Sequence, residues 1–485
     1  MACGCGAGQL HPRPSPNNAE RVMRYVSTRG GAPILDFEAA TLAGLASDGG
    51  LYVPEKWPRF SEAEIAAMAG LPYAEVAVRV CQRFTAGCLD EAALRQIFTA
   101  AYGRFAHAAV APLKQLDHRH WLLELFHGPT LAFKDVALQA LGLVFERFLS
   151  ASGKHITVIG ATSGDTGSAA IDAMAGRSGM EVFMLHPHGR VSEVQRRQMT
   201  TVLDGNIHNI AIDGNFDDAQ AIVKAMFNDA AFAARFPLAA VNSINWARLL
   251  FQVVYYFTSA LSLGAPHRAV SYAVPTGNFG DIFAGYVAAQ MGLPIERLVV
   301  ATNSNDILHR ALTSGDYSAG TVSPTDAPSM DIQVSSKFER LLFDLSGCDG
   351  AAMAAAMAEF EATKRLQLPE AWRARAAGLL SSARVDADEM TQTMRWALAH
   401  TGELLDPHTA IGLAAARRDT GSTPMITLAT AHPAKFPAAV HAATGVHPAL
   451  PARLTDLMHR PERFERAPAQ LQAIEAHVAA RARAR

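Results

Sequence analysis

From Pro112 onward, short apolar runs alternate with helical patterns of a dozen or more residues, and no other feature constrains the fold as tightly. The runs 156–160, 182–185, 269–274, 298–301 and 425–428 are bounded by turn residues and read as strands. Strands separated by helices form βαβ units, and these assemble into a mostly parallel sheet. The predicted class is α/β. Between residues 36 and 103 the texture is different. Stretches 61–68 and 91–102 carry apolar residues at three- and four-residue spacing, broken by Gly and Pro, which predicts a helical N-terminal region. The tail 451–485, rich in Ala and Arg, also reads as helical. At 485 residues the chain exceeds one ordinary core, so two or three domains are expected.

Charge narrows the choice of partner. Lys plus Arg number 43 against 45 for Asp plus Glu, a net charge of −2 that gives no electrostatic reason to expect nucleic acid or an anionic membrane. No apolar run reaches the roughly 20 residues that span a bilayer. A small-molecule substrate is expected instead. The five cysteines, Cys3, Cys5, Cys81, Cys88 and Cys348, are scattered and form neither a zinc signature nor an even disulfide framework. That usage suits a reducing cytoplasm. Residues 1–22 are Gly-, Pro- and Asn-rich without the hydrophobic stretch of a secretory signal, and they read as a flexible extension. Met23 is an alternative start.

Four segments carry chemistry. In Phe126-His127-Gly128-Pro129-Thr130-Leu131-Ala132-Phe133-Lys134-Asp135, a lone Lys sits among Phe and apolar residues. Burial there would disfavour its ammonium form and make it a nucleophile toward an aldehyde; an exposed lysine opening a helix fits the local pattern equally well. The strand at 156 leads into Thr162-Ser163-Gly164-Asp165-Thr166-Gly167 and a helix. Such a turn presents unpaired N–H groups to an anion, or is an ordinary strand-to-helix turn capped by Ser163 or Thr166. The strand at 269 repeats the arrangement with Pro275-Thr276-Gly277-Asn278-Phe279-Gly280-Asp281. The strand at 425 ends in Thr430-Ala431-His432-Pro433-Ala434-Lys435, with hydroxyls where open α/β sheets bind ligands. Each segment alone is weak. Together they supply an amine nucleophile, two oxyanion cradles and a neutral hydroxyl, which is the set that pyridoxal phosphate requires.

These residues resemble the threonine synthase family in its long form. The resemblance runs from Met23 to about Val478 and includes Tyr25-Val26-Ser27-Thr28-Arg29-Gly30, Gly50-Leu51-Tyr52-Val53-Pro54 and Asn242-Ser243-Ile244-Asn245-Trp246-Ala247-Arg248-Leu249. It continues through Ala301-Thr302-Asn303-Ser304-Asn305-Asp306 and Ser329-Met330-Asp331-Ile332-Gln333-Val334-Ser335-Ser336. It implies the type II fold of pyridoxal-phosphate enzymes (tryptophan synthase β-like). The implied organisation is an extension at 1–22, a mainly helical domain at 23–110, and two interleaved α/β domains at 111–485 with the cofactor between them.

By the same resemblance Lys134 would bind the cofactor covalently and act as base. Gly277, Asn278, Phe279, Gly280 and Asp281 would hold the cofactor phosphate, and the Thr430 hydroxyl would face the pyridine nitrogen. The implied reaction turns O-phospho-L-homoserine and water into L-threonine and phosphate. Thr162, Ser163 and Thr166 are candidates for the substrate carboxylate; Ser243, Asn245 and Arg248 are candidates for its phosphate. For Arg248 an exposed helical arginine is the other reading. The chain departs from the family in residues 1–22 and at Lys337, where an Asn is usual, a change expected to affect packing or an interface. The nearest rival is a phospho-lyase on the same scaffold, releasing 2-oxobutyrate. Shorter enzymes of this fold lack the helical N-terminal segment, and a non-catalytic homologue would not need to keep Lys134. A dinucleotide oxidoreductase lacks its G-x-G-x-x-G fingerprint here. Monomer or homodimer is left open.

Overall fold

The structure is a computed structural model, and it describes residues 22–239 and 244–482. A short antiparallel pair, β1 (Tyr25–Ser27) and β2 (Tyr52–Pro54), lies near the start. The strands that follow are β3 (Leu113–Gln115), β4 (His120–Glu124), β5 (Ile156–Ala161), β6 (Met180–Pro187), β7 (Ile207–Asp213) and β8 (Leu238–Ala239). After them come β9 (Val270–Pro275), β10 (Ile295–Thr302), β11 (Leu380–Arg384), β12 (Met425–Ala429) and β13 (Glu465–Pro468). They form a six-stranded sheet of order β11-β10-β9-β12-β4-β3 and a five-stranded sheet of order β13-β7-β6-β5-β8. Every pairing in these two sheets is parallel except β3 with β4. The chain leaves the first sheet after β4, builds most of the second, returns at β9, and adds β13 to the second sheet's edge. This interleaving gives the two α/β layers of the expected class.

The N-terminal residues are mainly helical, and local rules explain where their helices begin. Asp36, Ser61 and Asp90 each accept a backbone N–H from the first turn that follows them, and Ser61 with Glu64 forms a reciprocal capping box. The helices Phe37–Ala43 and Tyr73–Thr85 pack on the helix Trp246–Ser262, and Phe98 of Glu91–Tyr102 meets its Phe251 edge-on. The Trp246 ring lies 6.1 Å from Tyr25, 6.1 Å from Trp57 and 5.9 Å from Phe84. An aromatic cluster of this kind buries large area with defined geometry. It fixes the start of that helix, and with it Arg248.

The tail departs from the helical expectation. Two 3-10 turns, Ala452–Leu454 and Leu457–His459, precede β13, which pairs with β7, and among the described residues of the tail only Leu471–Ala479 is α-helical. Along β13 only Ala467 is buried, so it has no apolar run to read; pairing with the sheet edge makes it a strand. Residues 1–21 of the extension expected at 1–22 lie outside the described residues.

Helices Lys134–Ser152 and Asp165–Met174 cross at very close range. A Cβ on Gly142 would lie 2.4 Å from the carbonyl oxygen of Ala173. Gly142 therefore sets how near Lys134 and Asp165 can come. Gly142→Ala should lower the unfolding free energy by about 1–3 kcal/mol, read by urea denaturation; an unchanged midpoint would show that the crossing has slack.

Candidate active site

One cleft opens between the C-terminal ends of the two sheets. It is lined by the loop after β5 (Ala161, Thr162, Ser163, Asp165, Thr166), the loop after β9 (Pro275 to Asp281), Thr430 beyond β12, and Lys134. Strand carboxyl ends in open α/β sheets are where ligands bind. Arg248, the segment 328–332, Lys337 and His408 complete the wall.

Lys134 is the first residue of its helix and is only 8% exposed, so the exposed-lysine alternative fails. Its Nζ lies 3.2 Å from Asp165 Oδ2 and 4.6 Å from the Phe133 ring centroid. Burial lowers its pKa; Asp165 opposes the shift, and the positive charges of Arg248 and Lys435 add to it. Asp165 also forms an ion pair with Lys435 Nζ at 3.1 Å and accepts from Gln195 Nε2 at 2.9 Å and Ser329 Oγ at 3.3 Å. Burial alone would raise the Asp165 pKa, but the two lysines hold it well below the usual carboxylate range.

The loop after β9 is shaped to approach a ligand closely. A Cβ on Gly277 would meet the Ser329 carbonyl at 2.6 Å, so only glycine lets the segment 328–332 lie against it. Phe279 takes a left-handed φ of 66° and packs edge-on to Phe338 at 5.0 Å. That turn starts the helix Gly280–Gln290, whose first N–H groups form an anion-binding end. Asp281 is buried against the hydroxyls of Tyr255 and Tyr256. Burial pushes its carboxyl up to about 7, against the two tyrosine hydrogen bonds.

The other expected residues separate into groups. Ser163 and Thr166 line the cleft, and neither hydroxyl has a hydrogen-bond partner among the described residues. Thr162 also lines it, but its Oγ1 accepts the N–H groups of Gly164 at 2.9 Å and Gly167 at 2.8 Å, which shapes the loop. Arg248 faces the cleft at 2% exposure, so it is not an exposed helical arginine; burial lowers its pKa to about 10. Asn245 stands apart from these residues. Its Oδ1 caps the helix through Ala247 N at 3.0 Å, its Nδ2 donates to Thr41 O at 2.7 Å, and it does not line the cleft. The amide is engaged as an N-cap and an anchor, and the structure does not bring it to the cleft with Arg248. Ser243 lies outside the described residues.

The sequence reading missed four contributors. Asp165 stood in a quoted loop without a role. Lys435 is fully buried, donating to Thr130 O at 2.6 Å and Gln198 Oε1 at 3.1 Å; its apolar surroundings after a strand were the signal. His408 Nδ1 bonds Asp406 at 2.8 Å while Nε2 accepts Ser329 N–H at 3.2 Å, holding the segment 328–332 over the cleft. Lys337 lines the cleft and is 4% exposed, so its departure from Asn falls at the site.

The donor set fits pyridoxal phosphate: a buried amine of lowered pKa, a helix N-terminus behind a glycine turn, and a neutral Thr430 hydroxyl in one cleft. Asp165→Asn in cofactor-free protein would leave two buried ammonium groups without their carboxylate. We expect a loss of about 3–5 kcal/mol near pH 7. Because the Asp165 pKa is depressed on folding, its contribution is present above the unfolded value and fades as pH falls. The gap between wild type and variant should therefore close below about pH 4. Denaturant titrations across pH measure it, and a pH-independent gap would contradict the ion-pair account.

Three family models match the chain: threonine synthase N terminus over residues 24–102, pyridoxal-phosphate dependent enzyme over 106–370, and threonine synthase C-terminal over 409–478. Threonine synthase from Pseudomonas aeruginosa is 56% identical over 459 residues, 94% of this chain and 98% of that one. The crystal structure of pyridoxal-phosphate-bound threonine synthase from Brucella melitensis superposes with a TM-score of 0.93 at 53% identity, covering 95% of this chain and all of the other (100%). Yeast threonine synthase superposes at 0.89 with 38% identity, over 94% and 98% of the two chains. The chain belongs to the threonine synthase family of pyridoxal-phosphate-dependent enzymes.

Proposed function

We propose that this chain converts O-phospho-L-homoserine and water to L-threonine and phosphate, with pyridoxal 5'-phosphate carried on Lys134. The observation that carries the site assignment is the buried Lys134 amine, held by Asp165 in a cleft with anion-binding loops on both sides. Gly277 to Asp281, which line the cleft, would hold the cofactor phosphate, and the Thr430 hydroxyl would face the pyridine nitrogen without holding a proton on it. The bound cofactor supplies an electron sink for negative charge at the substrate carbons next to the amino group.

The protein's residues then divide the remaining work. Lys134 Nζ, its ammonium form disfavoured by burial, accepts and returns protons at the substrate's Cα and Cβ. Ser163, Thr166 and the first N–H groups of the helix Asp165–Met174 hold the carboxylate. Thr162 supports them by fixing the loop. Arg248, a planar donor in a dry wall, holds the phosphate that leaves. The N-terminal helices keep Arg248 in place through Trp246.

No described helix is long and apolar enough to cross a membrane. Cys81, Cys88 and Cys348 are unpaired thiols, which supports a cytoplasmic location for an enzyme acting on a small metabolite. The test is product analysis with O-phospho-L-homoserine, following phosphate, threonine and 2-oxobutyrate together. Threonine should rise in step with phosphate, and Lys134→Ala should reduce turnover by a factor of about 10²–10⁴ or more. Phosphate accompanied by 2-oxobutyrate instead would make the chain a phospho-lyase.

A further inference from the structure

Three buried lysines lie in or beside the cleft, and one of them has no counter-ion among the described residues. Lys134 and Lys435 both face Asp165, at 3.2 and 3.1 Å. Lys337, 4% exposed and lining the cleft, has no carboxylate within 4.0 Å among the described residues. Its Nζ donates to Ser336 Oγ at 2.7 Å, and Ser336 in turn donates to Asn278 Oδ1 at 3.0 Å. The nearby Glu339 is turned away, bonded to Thr28 at 2.6 Å and Arg29 at 3.1 Å. The charges that bear on Lys337 are those of Arg248 and Arg340, which add to burial in lowering its pKa to about 7.

A cation buried beside two others, in the wall of an open cleft, is unfavourable unless a ligand brings negative charge. Arg248 also lines the cleft, so a ligand that meets Lys337 there faces two positive charges and is favoured by carrying more than one negative charge. A phosphate monoester does so, with about −1.5 to −2 charges near neutral pH and three acceptor oxygens. Arg offers a planar fork and Lys a compact point charge, a complementary pair around one phosphate.

We propose that Lys337 and Arg248 form a two-cation clamp on a phosphate monoester dianion, with Lys337 as the residue that selects a dianion over a monoanion. The proposal rests on the reaction assigned above, which places two such groups in the cleft: the phosphate of the substrate and that of the cofactor. The arms of the test separate these sources.

The holoenzyme is titrated calorimetrically with inorganic phosphate, as wild type, Lys337→Asn and Lys337→Arg. In parallel, KM and kcat for O-phospho-L-homoserine and the cofactor affinity of the apoprotein, followed by absorbance, are measured. If the substrate phosphate is held, Lys337→Asn weakens phosphate binding and raises KM about tenfold or more, with kcat and cofactor affinity little changed, and Lys337→Arg restores both. If the cofactor phosphate is held, the loss appears in cofactor affinity while KM at saturating cofactor stays constant. Lys337→Gln gives the same reading where the Asn variant does not fold. Unchanged phosphate, substrate and cofactor affinities, or an Arg variant as impaired as the Asn variant, would overturn the clamp. Failure of the reaction assignment shows separately, as wild-type enzyme that makes no threonine.

Discussion

The carboxylate of Asp165 holds the site together. It meets Lys134 from one helix start, Lys435 from the segment after β12, Gln195 from a third helix and Ser329 from the segment 328–332. These groups come from both sheets, so one buried anion joins the two halves at the bottom of the cleft. Buried ion pairs contribute little net stability, because desolvation offsets their attraction, but they penalise any other arrangement. The arrangement retained here keeps an amine in place with its ammonium form disfavoured by burial.

The wider cleft has a consistent electrostatic plan. Cationic groups collect on its walls in Arg248, Lys337 and Lys134, while the carboxylates that line it, Asp165, Asp281 and Asp331, are each engaged by lysines or hydrogen-bond donors. Asp281 is capped by two tyrosines and pushed up to about 7, so near neutral pH it carries only part of a negative charge beside the phosphate-binding loop. Asp331 is enclosed by donors from Thr325, Asn303 and Asn305, which fix the segment that Gly277 packs against. The site is thus prepared for anionic ligands before any arrives, which is the economical way to bind charge in a low-dielectric setting.

What was legible in the sequence was what neighbouring residues determine. Lys134 stood out because apolar neighbours surround a single charge, and the loops after β5 and β9 stood out because glycine follows a strand and precedes a helix. Asp165 could not be ranked in the same way, since its importance comes from Lys435, far away in the chain. Asn245 illustrates the opposite case. An Asn opening a long apolar helix is a common N-cap, and that local rule described it better than its place in a motif did. Lys337 carried no local sign of its setting, because only the folded cleft brings it beside Arg248. Strand β13 escaped for the same reason, being a strand by virtue of the edge it pairs with.

The central claim is that Lys134, among three buried lysines, carries the cofactor. The most direct measurement is borohydride reduction of the holoenzyme, followed by proteolysis and mass spectrometry of the lysine-bearing peptides. The account predicts the pyridoxyl-phosphate mass on the peptide containing Lys134 alone, in near-stoichiometric yield. That mass on the peptide of Lys337 or Lys435 would contradict it, and with it the roles assigned to Asp165 and to the clamp.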